Sequence, residues 1–327
     1  MNTSGPGAAT VARIWFIDVG AGDCTLVIDE STKRAIVVDC PTWHVQQVKS
    51  LLAEEHAILD TVIVTHWDLD HYGGASRLAV GFPVRKVFYN HDTLFPDGDS
   101  PKNLIKTALK NFLNIPLAQE VLRPAEVGQS GGFGSVNWQI LAPTHYEVTK
   151  AYLQSKRNVA SAVIDIKVEN LRILIGGDAV GETWARLLAD TDLHSDILRW
   201  PHHGADLAGD RDGSIRDNVL ASVQPKYVIV STGSKNRHGH PSGLVVEAAA
   251  SNFTVLCTQV TPGCFGFRTK SDRETSMAQT TVQGLEKPHC ASTVCVECHS
   301  SSYSVSPSPT EHESRIILWP EPLCRRF

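Results

Sequence analysis

Residues 64–74 read VTHWDLDHYGG, which puts two imidazoles and two carboxylates within six positions, directly behind an apolar run. His66, Asp68, Asp70 and His71 at a strand end would repel or desolvate one another unless positive charge sat among them. Alternate residues of an extended segment point to one side, so His66, Asp68 and Asp70 face broadly together and His71 turns to a second centre. Imidazole and carboxylate suit Zn²⁺, Mn²⁺ or Fe²⁺, and carboxylate enrichment shifts the preference towards harder ions. The plainer alternative, an exposed polar loop, fits less well behind an apolar strand and ahead of Gly73-Gly74. Three further stretches carry the same donor types: Asp178 closes LRILIGGD, His202 and His203 stand in WPHHGA, and His240 stands in NRHGHP. Nothing in the chain resembles a Ser/His/Asp nucleophile system or a phosphate-cradling Gly-rich loop.

These groups need a scaffold, and the apolar runs supply one. ARIWFIDV (12–19), CTLVID (24–29) and RAIVVDC (34–40) are β-rich runs joined by short polar or Gly-rich turns, the pattern of antiparallel hairpins. VQQVKSLLAEEHA follows with Val45, Val48, Leu51 and Leu52 at helical spacing, then the strand DTVIVTH ending at His66. NLIKTALKNFLN (103–114) is a second amphipathic helix, with Ile105, Ala108, Leu109 and Phe112 on one face. VNWQILAPT, SAVIDIKV and LRILIGGD form a second group of strands. Helix and strand then alternate through AVGETWARLLAD, SDILRWPHH, IRDNVLASV, KYVIVST and GLVVEAAAS. Two β-rich halves, each ending in β/α alternation, predict two sheets packed face to face with helices outside: an α/β fold, a four-layer αβ/βα sandwich.

The 327 residues suffice for one large α/β domain, and 42% hydrophobic with 20% charged residues describes a sizeable core. A formal charge of −5 gives no global footprint for nucleic acid, although a local basic strip would serve. MNTSGPGAATVAR lacks the features of a secretory signal, so residues 1–11 read as a flexible leader. No apolar stretch approaches the roughly 20 residues that span a bilayer, and eight dilute cysteines read as reduced thiols in a cytoplasmic protein. The hydrolytic domain is expected over 12–270 and a C-terminal extension over 271–327. The extension contains a Cys-bearing strand and a Ser/Pro-rich linker, SSSYSVSPSPTEHES (300–314). Its short tail has Ile317, Leu318 and Trp319 ready to dock back on the body, and the linker with the tail 315–327 is a candidate surface for a protein partner. In CASTVCVEC (290–298), Cys295 and Cys298 would diverge on a strand. Buried reduced thiols are the leading reading there, and a structural zinc would draw on Cys257, Cys264, His289 and Cys290.

HWDLDH fits the H-x-[HD]-x-D-H signature of the metallo-β-lactamase fold, in the variant with Asp at its third position. The chain resembles the hydrolase domain of the DNA-internalisation competence protein ComEC and its stand-alone relatives. The resemblance runs through FIDVGAGDCTLV, AIVVDC (with Pro41 in place of the usual Gly), NVASAVI, ILIGGDA, DILRWPHHGA and NRHGHP, in order over roughly residues 12–245. It implies that His66 and Asp68 hold one metal, that Asp70 and His71 hold the other, and that Asp178 bridges them. One of His202 and His203 would be a ligand while the other faces the substrate. Asn158 and Ser161 stand where many members have a further His ligand, and are expected at the substrate. His145 comes too early for that role and reads as structural. His240 would lie over the centre, holding a phosphoryl oxygen or protonating the leaving group, with Lys235 and Arg237 contacting phosphate.

Two divalent ions (Zn or Mn) against Asp68, Asp70 and Asp178 leave about one net positive charge, suited to a phosphate. The expected activity is that of a dinuclear phosphodiesterase on nucleic acid or a nucleotide, working through a metal-bridging hydroxide. The alternatives are a hydrolase of a small phosphoester or lactone, and a binding or regulatory subunit whose metal is structural. ComEC's membrane portion has no counterpart here, so its transport role does not carry over and no membrane contact is expected.

Overall fold

Strand β1 (Thr10–Phe16) sends Ile14 and Phe16 to one side and Trp15 to the other, and β2 (Thr25–Asp29) does the same with Val27 against Leu26 and Ile28. Both faces are apolar, which a strand tolerates only when it is covered on both sides. The computed structural model describes residues 9–90, 102–116, 118–234, 238–265, 290–317 and 322–325. Within them, β1 and β2 join β3 (Arg34–Val38), β4 (Ile58–Ile63), β5 (Lys86–Tyr89), β6 (Leu122–Pro124), β14 (Val294–His299) and β15 (Tyr303–Ser306) in one sheet of order β15-β14-β1-β2-β3-β4-β5-β6. The second sheet holds β7 (Ser130–Phe133), β8 (Val136–Ala142), β9 (Val163–Val168), β10 (Leu171–Ile175), β11 (Ile197–Arg199), β12 (Tyr227–Val230) and β13 (Thr254–Cys257), ordered β13-β12-β11-β10-β9-β8-β7.

The core between the sheets takes Ile14, Phe16, Ile63 and Phe88 from the first and Trp138, Ile164, Ile173 and Ile229 from the second. Outside the first sheet lie α1 (Val45–Glu54), α3 (Ala75–Gly81) and α4 (Lys102–Leu113). Val45, Val48 and Leu52 of α1 and Ala108 and Phe112 of α4 are buried at helical spacing. The one-turn α2 (Leu69–Tyr72) carries site residues, and α5 (Ala118–Val121) leads into β6. Outside the second sheet lie α7 (Gly181–Asp190), α8 (Ser214–Val223) and α9 (Gly243–Ala250), burying Trp184, Val219 and Val245. Between β8 and β9 stands α6 (His145–Gln154), opened by a reciprocal Thr144–Glu147 cap. These layers are the four-layer αβ/βα sandwich that the sequence predicts.

Each sheet is antiparallel on one side and parallel on the other. Strands β3 to β6 run parallel, as do β10 to β13. In open α/β sheets, ligand sites form beyond the carboxyl ends of parallel strands, and the acidic and imidazole residues gather there.

The C-terminal part departs from the sequence reading. Residues 300–314, read as a Ser/Pro-rich linker, contain β15 and most of α10 (Pro309–Ile316). Ser308 caps α10, with Glu311 returning the bond and Pro309 in the first turn, so these residues are start signals for a helix. β14 pairs antiparallel with β1, Phe16 opposite Val294, so this segment continues the first sheet. Cys298 enters the inter-sheet core and Cys295 packs on the outer layer, diverging as the period of two requires. Ile317, read as docking, is exposed, and its neighbour Ile316 is buried instead. Leu318 and Trp319 lie outside the described residues. Among the described residues, no helix is long and apolar enough to cross a membrane.

Candidate metal centre

The first sheet presents its donors through three consecutive features. Just past the end of β3 stands Asp39, whose φ of 58° turns the chain there. There Asp39 accepts from Thr65 N (2.8 Å) and Thr65 Oγ1 (2.7 Å), and its Oδ2 lies 2.8 Å from His71 Nδ1. A carboxylate on one ring nitrogen fixes the imidazole and aims the other nitrogen. His71 Nε2 accordingly points at Asp178 Oδ1, 3.4 Å away. His66, just beyond β4, has Nδ1 beside Thr65 Oγ1 (3.1 Å), while its Nε2 lies 3.4 Å from Asp68 Oδ2 and 3.6 Å from Asp178 Oδ2. The single turn of α2 then carries Asp70 and His71. Gly22 allows this turn to pack, since a side chain there would come within 2.6 Å of the Asp70 carbonyl.

The second sheet closes the site. Asp178, two residues past the paired Ile175 and Gly176, donates its backbone N–H to Ser161 Oγ (2.8 Å). In the turn after β11, His202, His203 and Gly204 all have positive φ (51°, 54° and 85°). Two consecutive non-glycine residues in the left-handed region are uncommon, and such conformations cost about 1–3 kcal/mol each. The turn is held by His202 N donating to Gly177 O (2.8 Å) and by Pro241, which a side chain at Gly204 would meet at 2.5 Å. The result places His203 Nε2 3.4 Å from Asp70 Oδ2, with its Nδ1 3.4 Å from Asp23 Oδ1. His202 Nε2 lies 3.7 Å from Asp178 Oδ2, and its ring, about one-third exposed, is 5.5 Å from that of His240.

Asp178 thus stands between two donor sets, Oδ2 towards His66 and His202, Oδ1 towards His71. His66, His71 and Asp178 bring ligand atoms within 4.8 Å of one another, and so do Asp70, His71 and His203. His66 Nε2, His71 Nε2 and Asp178 Oδ1 are buried without a hydrogen-bond partner among the described residues. Buried polar atoms are almost always paired, so convergent orphaned donors of these types fit divalent cations. The electrostatics agree. Burial opposes charge on His203, yet Asp178, Asp23 and Asp70 push it up to about 10, the mark of a field that favours a positive occupant. Burial likewise opposes ionisation of Asp68 and Asp70, but His66 and Arg157 for the former, and His203 and His71 for the latter, hold both well below the usual carboxylate range. His240 moves the other way, lowered to about 4 by burial and by His202 and His203.

The structure brings together His66, Asp68, Asp70, His71, Asp178 and His203, with His202 and His240 at the rim. Of the two candidates in the His-His pair, His203 joins the buried donors. Ser161, expected at the substrate, is instead fully buried behind Asp178 and supports its backbone. Asn158 lies half-buried in the turn beside Arg157. His145 is exposed at the start of α6, outside these donor groups. Lys235 and Arg237 lie outside the described residues. Sequence reasoning missed four residues. Asp39 and Asp23 orient His71 and face His203. Arg157 binds Asp68 Oδ1 (2.6 Å), and the fully buried Arg199 binds Asp23 Oδ1 (2.8 Å) and Ser231 Oγ (2.5 Å). Both aspartates stand in stretches already singled out, GAGDC and VVDC, where an acid behind an apolar strand was the available signal.

Residues 17–146 match the metallo-beta-lactamase superfamily. The chain is similar to ComE operon protein 3 of Bacillus subtilis (23% identity over 261 residues, 74% of this chain and 31% of that protein). It is also similar to Recombination protein 2 of Haemophilus influenzae (26% over 237 residues, 71% of this chain and 25% of that protein). It therefore spans about a third or less of the curated relatives it matches. Among solved structures, the metallo-beta-lactamase fold protein YhfI of Bacillus subtilis covers 75% of this chain and 96% of its own, at 12% identity and a TM-score of 0.46.

Proposed function

Since this chain carries a metallo-beta-lactamase superfamily domain, we propose that it is a metal-dependent phosphodiesterase acting on a nucleic acid or a nucleotide. The observation that carries the reading is Asp178, whose two oxygens face separate donor sets. His66, Asp68 and Asp178 would hold one divalent ion, and Asp70, His71, His203 and Asp178 the other. When bound, such a pair supplies positive charge that acidifies water and stabilises a phosphoryl group during in-line displacement.

The chain's own residues set the rest. Asp23 and Asp39 add two buried carboxylates to those that face the ions directly. Arg199 contacts Asp23 and Arg157 contacts Asp68, so the extra negative charge is answered and the small positive balance survives. That balance favours a singly charged diester. His240, held neutral at neutral pH, suits donating an N–H to a phosphoryl oxygen better than delivering a proton, and a bound cation would push it the same way. His202, beside it and partly exposed, faces the side from which substrate enters. The strained His202–Gly204 turn keeps both positions fixed before substrate arrives.

Nucleic acid or nucleotide is favoured as substrate by the relatives, one of which is named a recombination protein, and by the ComEC-like motif order. The test is turnover of bis-para-nitrophenyl phosphate and of a labelled single-stranded oligonucleotide, with Mn²⁺ or Zn²⁺, against Asp70→Ala. Metal-dependent hydrolysis lost in the variant is the expected result. A protein that binds two ions but hydrolyses no phosphodiester would overturn the reading and point to a lactone or another small ester.

A further inference from the structure

Away from Asp178, a second set of donors converges from segments far apart in the chain. Cys290 Sγ lies 3.1 Å from His312 Nε2, Cys324 Sγ lies 4.0 Å from the same nitrogen, and all three ligand atoms fall within 4.8 Å of one another. Cys257, at the end of β13, and Cys264 are buried in the same apolar cluster as Cys290, with Cys324 packed against it. His312 is 4% exposed, with its Nε2 turned towards the two sulfurs. Packing alone accounts for buried cysteines, which behave as small apolar residues. It does not account for a buried imidazole aimed at two sulfurs.

We propose that Cys290, His312 and Cys324, with a fourth thiol from Cys257 or Cys264, form a structural zinc site. In tetrahedral zinc, with sulfur at about 2.3 Å and nitrogen at about 2.0 Å, neighbouring ligands stand roughly 3.5–3.8 Å apart. The observed separations of 3.1 and 4.0 Å bracket that range. The surrounding backbone is already braced. Ala291 N donates to Cys257 O (2.8 Å), Ser292 N to Thr258 O (2.9 Å), and Arg315 Nη1 to Ala291 O (3.0 Å). The ion would therefore tie the last strand of the second sheet, the approach to β14 of the first sheet, helix α10 and the turn at 323–325 to one point. Binding would release the thiol protons, and the ion's binding energy would add to folding. The sequence reading placed His289 in such a site. His289 lies outside the described residues, and the imidazole found beside the sulfurs is that of His312.

The test is the optical spectrum of the full-length protein produced in cobalt-supplemented medium. Cobalt held by thiolates gives an intense near-ultraviolet charge-transfer band that carboxylate and imidazole ligands cannot give. The band is expected in the wild type, retained in Asp178→Asn, lost in a Cys290→Ser/Cys324→Ser variant and retained, with added thiolate intensity, in His312→Cys. Because His312→Cys keeps a complete ligand set, it remains informative if the serine variant fails to fold. Single Cys257→Ser and Cys264→Ser variants identify the fourth ligand by which one weakens the band. A cobalt-loaded wild type without the band, or a band lost only in Asp178→Asn, would overturn the proposal. Either result would leave the reading of the Asp178 site standing or falling on its own assay.

Discussion

The donors around Asp178 and those around Cys290 differ in chemistry, in exposure and in how the chain assembles them. At Asp178, carboxylates and imidazoles gather at the carboxyl ends of parallel strands, and the side chains of Asp68, Asp70 and His202 are each about one-third exposed. At Cys290, thiols and one imidazole meet in an apolar cluster, with Cys290 2% and His312 4% exposed. Catalytic metal sites keep an open position and structural ones are closed by protein ligands. The same distinction separates these two clusters.

The largest way to break this comparison is Asp178→Ala. With the group between both donor sets removed, turnover should fall by more than the roughly 10–100-fold that losing a ligand-orienting group costs. The thiolate band of the cobalt protein should persist, as spectra and phosphodiester assays on one preparation would show. Next in size is Asp39→Asn, which leaves every direct donor in place but removes the carboxylate on His71 Nδ1. Metal affinity should fall by about 10–100-fold, read by titration with a competing chelator.

The thiol cluster should answer differently. Cys324→Ser should lower the melting temperature by roughly 5–10 °C, as expected for a few kcal/mol in a chain of this size, while kcat of the folded fraction changes little. A large loss of kcat at unchanged melting temperature would contradict the division between the clusters. The smallest effect is expected for Arg157→Ala. Burial raises the pKa of Asp68, and His66 and Arg157 more than offset it. Without Arg157, Asp68 protonates at higher pH, so the acidic limb of the pH–rate profile should move upward while the plateau drops about tenfold or less. An unmoved limb would show that Asp68 does not govern it.

Strands β3, β4, β10, β11 and β12 were legible because buried strands read as continuous apolar runs, IVVDC and VIVTH among them, whereas β5, β6 and β13 were not singled out. His66, Asp68, Asp70 and His71 were legible because their spacing is local. Asp39 and Asp23 were visible as residues but not as partners. Nothing in a one-dimensional string says that a carboxylate at the end of β3 meets Nδ1 of a histidine 32 positions later. The place of Ser161 was not legible for the same reason, since a hydroxyl beneath Asp178 and one in front of it have the same sequence. At the C-terminus, composition hid a local signal. The Ser and Pro content suggests a linker, while Ser308, Pro309 and Glu311 stand at the positions that start a helix. The ligands at Cys290 were the least legible, because His312 and Cys324 join Cys290 only through the pairing of β14 with β1 and the docking of α10.

The central claim is that two ions share Asp178. The most direct measurement is the electron paramagnetic resonance spectrum of the Mn²⁺-saturated protein, recorded beside Asp178→Asn. Two ions about 3.5–4 Å apart should give an exchange-coupled spectrum in the wild type that disappears in the variant together with turnover. A wild-type spectrum of isolated Mn²⁺ alone, at full activity, would contradict the two-ion centre.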